Sequence, residues 1–344
     1  MIRWLLVALL LASPVAGANW ATKGVCTVDE LTVPEGLFSD AELASMKARA
    51  AEIPNSVGRL WRIEASSGAV SHLFGTMHTN ATILLDVPPE LEAILAETRV
   101  IAPEIDHRLR ARRFARNDPQ DSLRWSTSRR GANNSPFEPE LEDWVRTLFS
   151  GYGLEQPWQI MTDAALAEIL LWDPCNDFNS GVFPVMDNLI MLEAALAGAE
   201  VLPLEGQGYF MTELSRRQWE DALHGVLQVY GAAAEPALSN KERQAAFALY
   251  AEGRLGELTA WSDAALSEVF GAQRAARYGA DADAFLLTER NERWLDLIEG
   301  DLQIGGVTMS VGAAHLAGEE GLIEMLRARG FSVTRIVATG EVLR

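Results

Sequence analysis

Apolar and polar positions alternate through RLWRIEASSGAVSHLFGTMH (residues 59–78) and break at Ser66-Ser67-Gly68, which predicts two strands joined as a hairpin. The spacing changes in VPPELEAILAETR, where Leu91, Ile94 and Leu95 fall on one stripe behind a proline, the pattern of a short helix. VIAPEID (100–106) returns to a strand, and the charged, aperiodic stretch from Arg108 to Ser135 reads as a surface excursion. Beyond it the period is helical, in PELEDWVRTLF, PWQIMTDAALAEILLW, FPVMDNLIMLEAALAG and the long run from Gln218 to Ala276. One strand interrupts these helices, EVLPLE (200–205), after a helix that stops at Gly198. Toward the C-terminus come a helix over Ala282–Leu302, a strand VTMSVG (307–312), a helix over Glu319–Arg329 stopped by Gly330, and a strand FSVTRIV (331–337).

The two ends share one plan. Strand, Gly-x-x-His, a loop bearing proline or glycine, an amphipathic helix and a strand describe both 72–105 and 307–337. The prediction is an α/β fold with a central mixed β-sheet flanked by helices. It contains pseudo-repeated β-GxxH-α-β units and a helical middle of about 139–300. If the two Gly-terminated strands are central, His78 and His315 lie beyond their carboxyl ends, where open α/β sheets bind ligands.

Composition narrows the setting. The first residues, MIRWLLVALLLASPVAGANW, combine Arg3, a short apolar run and Ala16-Gly17-Ala18, the pattern of a cleaved signal peptide over 1–18. The alternative, an uncleaved anchor, needs about 20 apolar residues, more than this run holds. The mature chain is expected to be exported, periplasmic or secreted, with no transmembrane segment. A formal charge of −19 argues against nucleic acid as a partner. The basic run RLRARRFAR (108–116) reads as a solvated surface. In an oxidising compartment the two cysteines, Cys26 and Cys175, become candidates for one disulfide.

Chemistry concentrates around the two histidines. A strand ending in Gly75 or Gly312 can turn sharply and let a following side chain project over the sheet edge. Glu104 follows the apolar VIAP and is hard to leave unpaired, whereas Asp106 and Glu205 are readily explained as caps or surface groups. Two imidazoles and a carboxylate make a metal-ligand set with positions left for water, provided His78 and His315 lie within about 10 Å of each other. Arg290 lies on a helix whose apolar face draws on Leu286, Leu287, Trp294, Leu297 and Ile298. It could orient a carboxylate or stabilise an oxyanion. Glu289 and Arg293 read as a surface i, i+4 pair. The chain contains no H-E-x-x-H, G-x-S-x-G or P-loop.

Taken in order, HLFGTMHTN…VPPELEAILAETRVIAPEID, MDNLIMLEAALAGAEVLPLEG and RNERWLDLIEGDLQIGGVTMSVGAAHLAGEEGLIEMLRARGFSVTRI resemble the TraB/PrgY/GumN family, which includes the TIKI proteases. The resemblance implies one domain over 19–344, with a fold related to the erythromycin-esterase and ChaN-like groups. It also implies a metal-dependent hydrolase, peptidase-like, using a divalent ion (manganese, cobalt or zinc) on a peptide or protein substrate. Carried over by position, His78, Glu104, Arg290 and His315 form the site, Gly75 and Gly312 are the motif glycines, and Asp187 and Glu205 match recurring positions without an assigned role. Glu104 is open to two roles, metal ligand or general base. A binding protein that holds haem or another ligand without turnover, as in ChaN-like relatives, is the alternative. Pro103 departs from the family's usual context before the glutamate and leaves the strand pairing there open.

Overall fold

The computed structural model describes residues 26–106, 134–151, 158, 161–171, 185–206, 208–233 and 240–343. The signal peptide expected at 1–18, nearly all of the excursion expected at 108–135, and Cys175 lie outside them.

In chain order, α1 (Asp40–Ala50) precedes the expected hairpin of β1 (Leu60–Glu64) and β2 (Val70–Thr76). A single turn, α2 (Thr82–Leu85), and α3 (Pro89–Glu97) lead to β3 (Val100–Pro103). The middle contains α4 (Pro139–Gly151), α5 (Asp163–Leu170) and α6 (Met186–Ala197), then β4 (Glu200–Val201). Helices α7 (Tyr209–Leu214), α8 (Glu220–Ala233), α9 (Asn240–Ala251), α10 (Leu255–Phe270) and α11 (Ala272–Asp283) follow. A π-helical turn, Ala284–Glu289, runs directly into α12 (Arg290–Ile304). The chain then forms β5 (Val307–Gly312), α13 (Leu322–Ala328) and β6 (Ser332–Ile336).

The six strands form one mixed sheet in the order β4-β3-β5-β2-β1-β6. Only β1 runs against the others, because β2 and β6 each pair with it antiparallel while β2, β5, β3 and β4 pair parallel. The two Gly-x-x-His strands are the central pair, with Gly75 opposite Val311 and Thr76 opposite Gly312. Strand β5 is buried along its whole length, as a parallel strand covered on both faces should be. One apolar core packs around the sheet through residues such as Leu73, Phe74, Ile101, Met309, Ile190 and Ile298. A second lies among the helices, around Phe149, Trp158, Val226, Tyr278 and Phe285. Among the described residues no helix is long and apolar enough to cross a membrane.

Several expected boundaries move for local reasons. The strand expected over 100–106 ends at Pro103, whose own pairing with Ser310 is intact and whose carbonyl accepts the Leu204 amide. The segment 200–205 does follow β3, since Leu202 and Glu205 also donate to Ile101 and Glu104, but Pro203 has no N–H and the regular ladder stops at Val201. The run from Gln218 to Ala276 divides into separate helices, two of its breaks falling at Gly253 and Gly271, both at positive φ. The helix expected from Glu319 begins only at Leu322. Leu297, expected on the apolar face of α12, is 50% exposed, and Leu295 faces the core instead.

Candidate functional site

Four parallel strands deliver their carboxyl ends to one edge of the sheet, and each is followed by a site residue: His78 after β2, Glu104 after β3, Glu205 just beyond β4, and His315 after β5. Gly312 lies at the centre of this edge. A Cβ built on it would stand 3.3 Å from Glu104 Oε1, 3.3 Å from His78 Nε2 and 3.6 Å from His315 Cδ2. Gly75 serves a different purpose, because a Cβ there would meet Ala313 Cα at 3.0 Å and the Leu316 side chain at 2.9 Å. One glycine leaves room for the site, and the other lets the turn carrying His315 close against β2.

Both imidazoles are held from behind. His78 Nδ1 lies 3.0 Å from Asp187 Oδ2, and Thr76 donates its hydroxyl to the other oxygen of the same carboxylate. Asp187 sits in the first turn of α6, where the helix dipole favours a negative charge. His315 Nδ1 lies 2.7 Å from Asn291 Oδ1, and Asn291 Nδ2 donates to the carbonyls of Glu320 and His315, which sets the amide's orientation. His315 therefore carries its proton on Nδ1. Its ring also packs against Trp294, 4.4 Å between centroids. This leaves Nε2 of each ring facing Glu104 Oε1, at 3.8 Å for His78 and 3.9 Å for His315.

Glu104 receives the Gly312 amide on Oε1 at 2.7 Å and Arg290 Nη2 on Oε2 at 2.6 Å. Arg290 is buried, and each of its nitrogens is engaged. Nε donates to Glu205 Oε1 at 2.7 Å, Nη1 to the Leu286 carbonyl and to His315 Nε2 at 3.3 Å, and Nη2 to both carboxylates. Glu205 is 4% exposed and also accepts Arg293 Nη2 and Trp294 Nε1. Arg293 thus serves Glu205 in addition to its longer contact with Glu289. The π-helical turn immediately before Arg290 widens the helix at this point, as such turns often do beside functional sites.

The charges follow from this packing. Burial alone would raise Glu104, but Arg290, His78, His315 and the Gly312 amide outweigh it and hold the carboxyl well below its usual range. Asp187 pushes His78 up to about 9 against a smaller opposing effect of burial; its side chain is 56% exposed, so solvent screens part of that attraction. Burial, aided by Arg290, drives His315 down to about 3.

Native His315 thus refuses a proton that the unfolded chain accepts below its ordinary value of 6.5. Its stabilising contribution is complete above that pH and is lost as pH falls toward 3. His78 has the opposite sign: its contribution is complete below 6.5 and fades toward 9. Between about pH 6.5 and 5, in chelator, urea unfolding should show stability falling by up to about 1.4 kcal/mol per pH unit on account of His315. His72, half-buried on β2 and pushed down to about 4 by burial and Arg62, adds in the same direction. His315→Gln should therefore reduce the slope without erasing it, and an unchanged slope would show that His315 does titrate in the native protein.

The sequence-predicted residues His78, Glu104, Arg290, His315, Gly312, Asp187 and Glu205 come together here, with Gly75 one residue deeper in β2. Asp106 is buried beyond Glu104. Cys26 packs at the edge of the helical core, and the bridge expected from it to Cys175 has its other end outside the described residues. Sequence reasoning missed the parts played by Asn291, Trp294 and Thr76. Asn291 was visible beside Arg290, but nothing local tied it to a histidine 24 positions away.

Among the described residues no group of three or more His, Cys, Asp or Glu side chains stands at ready metal-ligand spacing. The donors nevertheless suit a divalent ion. The His78 Nε2, one Glu104 oxygen and the edge of the His315 ring border a space that a single Cβ would fill, and each imidazole has its Nδ1 held by an oxygen. Ligands of one tetrahedral ion lie about 3.4 Å apart, so distances of 3.8 and 3.9 Å call for a closure of a few tenths of an ångström.

No curated protein and no solved structure matches the chain. The profile of the TraB/PrgY/gumN family, however, matches residues 59–335, from just before β1 into β6 and with every site residue inside, and the chain belongs to that family.

Proposed function

We propose that this protein is an exported metal-dependent hydrolase that cleaves a peptide or amide bond, and that His78, His315 and Glu104 hold the ion. The observation that carries the reading is the convergence of His78 Nε2, Glu104 Oε1 and the His315 ring on the space over Gly312, with His315 Nε2 itself 3.9 Å from Glu104 Oε1 and Asp187 and Asn291 fixing both rings from behind. When bound, a divalent ion supplies an activated water at neutral pH and polarises the carbonyl under attack. The chain's own residues do the rest. Asp187 and Thr76 set the angle of His78 at the solvent side, and Asn291 and Trp294 set that of buried His315. The Gly312 amide and Arg290 lock the Glu104 carboxylate in its charged form. Arg290 has no nitrogen left unbonded, so its offer to a developing oxyanion is its positive charge rather than a free N–H. Export rests on the leader pattern of residues 1–18.

The test is metal analysis joined to peptide cleavage. Wild-type protein should bind divalent metal stoichiometrically, and His78→Ala and His315→Ala should each weaken that binding by about tenfold or more. Cleavage of a peptide library should fall with it, by at least about 100-fold. A haem absorption band on titration, with no turnover and no metal, would overturn the reading in favour of ligand binding.

A further inference from the structure

Arg290 occupies two of the three donor groups that the metal reading needs. Its Nη2 donates to Glu104 Oε2 at 2.6 Å, and its Nη1 donates to His315 Nε2 at 3.3 Å. The imidazole nitrogen has a single lone pair, which an N–H and a metal ion cannot use together. The guanidinium is also held from the far side. Glu205 accepts its Nε at 2.7 Å, the Leu286 carbonyl accepts Nη1 at 3.2 Å, and the Trp294 ring lies 4.6 Å from its central carbon. A built-in cation thus rests against the donor set with alternative acceptors behind it.

The two histidines are not equivalent in this respect. The His78 side chain is 56% exposed and its Nε2 lies 3.8 Å from Glu104 Oε1, whereas the His315 side chain is 5% exposed and its Nε2 faces Arg290. An ion arriving from solvent meets His78 and Glu104 first and His315 last.

We propose that Arg290 is an internal competitor for the metal site: its Nη1 must give up His315 Nε2 and keep only the Leu286 carbonyl, while Nε and Nη2 stay on Glu205, before the ion gains its third ligand. The inference rests on the metal-dependent reading above and adds the control of affinity. Repulsion between guanidinium and ion, together with the contested nitrogen, keeps the metal weakly held and exchangeable. The same cation holds Glu104 in place, so affinity and positioning of the carboxylate are set against each other in one side chain.

The test uses zinc and manganese as probes, added to chelator-stripped protein, with apparent Kd read by competition against a chromophoric chelator. Arg290→Met should bind at least about tenfold more tightly than wild type. Arg290→Lys, which keeps the charge but loses the planar fork, should fall between the two. Because Arg290→Met leaves Glu104 and Glu205 without this partner, its folding is checked by circular dichroism, and wild-type protein carries an independent arm. Zinc saturation should shift the Arg290 Nε–H NMR resonance, assigned by its loss in Arg290→Lys. Equal or weaker metal binding by a folded Arg290→Met, or an Arg290 resonance that zinc leaves unmoved, overturns the competitor role while the metal reading stands. Metal binding by none of the three proteins would instead bring down the metal reading itself, and this inference with it.

Discussion

Gly312→Ala is expected to fold like the wild type and to lose the proposed metal-dependent activity. The backbone permits the change, because Gly312 sits at φ −51° and ψ 135°, a conformation open to alanine. The new methyl would stand 3.3 Å from both Glu104 Oε1 and His78 Nε2 and 3.6 Å from the His315 ring, in the space where the three groups converge. Those contacts are tight enough to displace the donors by a few tenths of an ångström, yet they face the open edge of the sheet rather than its core. Turnover should fall by about 100-fold or more, because the methyl takes the space between the proposed donors and a misplacement of about 1 Å at a reacting centre carries that penalty. Metal affinity should fall with it, and Tm should move by only a few degrees. Gly75→Ala is the control. Its Cβ would press on Ala313 Cα at 3.0 Å and on Leu316 at 2.9 Å, inside the packed turn that carries His315. Overpacking there should cost about 1–3 kcal/mol of stability. The two glycines of one repeated motif should therefore separate: thermal unfolding and metal binding measured on both variants would show stability lost at Gly75 and function lost at Gly312. An active Gly312→Ala would mean that the reacting atoms lie somewhere other than over this glycine.

That separation could not be read from the sequence, where the two Gly-x-x-His motifs look alike. Legible there were the strand ends and the histidines beyond them, because alternation that stops at glycine is a local signal, and also Glu104, a carboxylate placed directly after an apolar strand. The sheet followed from the same patterns, whereas Arg290 entered the site through the family resemblance. Partnerships across the fold were not legible. Asp187 matched a recurring family position without an assigned role, and its service to His78 depends on a contact spanning 109 positions. Glu205 looked like a surface group, and only the return of the chain beside β3 buries it under Arg290, 85 positions later. On α12 the expected apolar face includes Leu297, which is 50% exposed, while Leu295 is buried. Here Arg290 and Asn291 turn inward, each satisfied by polar groups that lie far off in the sequence. The π-helical turn leaves no mark in AFLLTE that a regular helix would not also show.

Glu205→Ala should produce the largest loss of stability among the site residues. Its carboxylate has a side-chain exposure of 2% and accepts three donors on one oxygen: Arg290 Nε at 2.7 Å, Trp294 Nε1 at 3.0 Å and Arg293 Nη2 at 2.9 Å. Truncation to alanine leaves these donors facing a void, one of them on a guanidinium buried almost as deeply. Breaking a buried ion pair from one side typically costs about 3–5 kcal/mol, because the remaining charge stays out of water without its partner. In a chain of 344 residues that corresponds to a fall in Tm of about 4–7 °C. Glu205→Gln keeps the shape and one acceptor oxygen but gives up the charge, so it should lie between alanine and wild type. Arg293 can swing outward, since its side chain is 32% exposed; Arg290, at 10%, cannot, and the cost therefore concentrates on Arg290. Released from Glu205, the guanidinium has Glu104 as its one anionic anchor among the described residues. It should draw that carboxylate and His315 Nε2 more tightly, so metal affinity should fall together with stability. Thermal unfolding of the alanine and glutamine variants, with zinc affinity measured on the glutamine protein, checks both parts. A Glu205→Ala protein as stable as wild type would mean that the guanidinium finds other acceptors and that Glu205 is not what holds it in place.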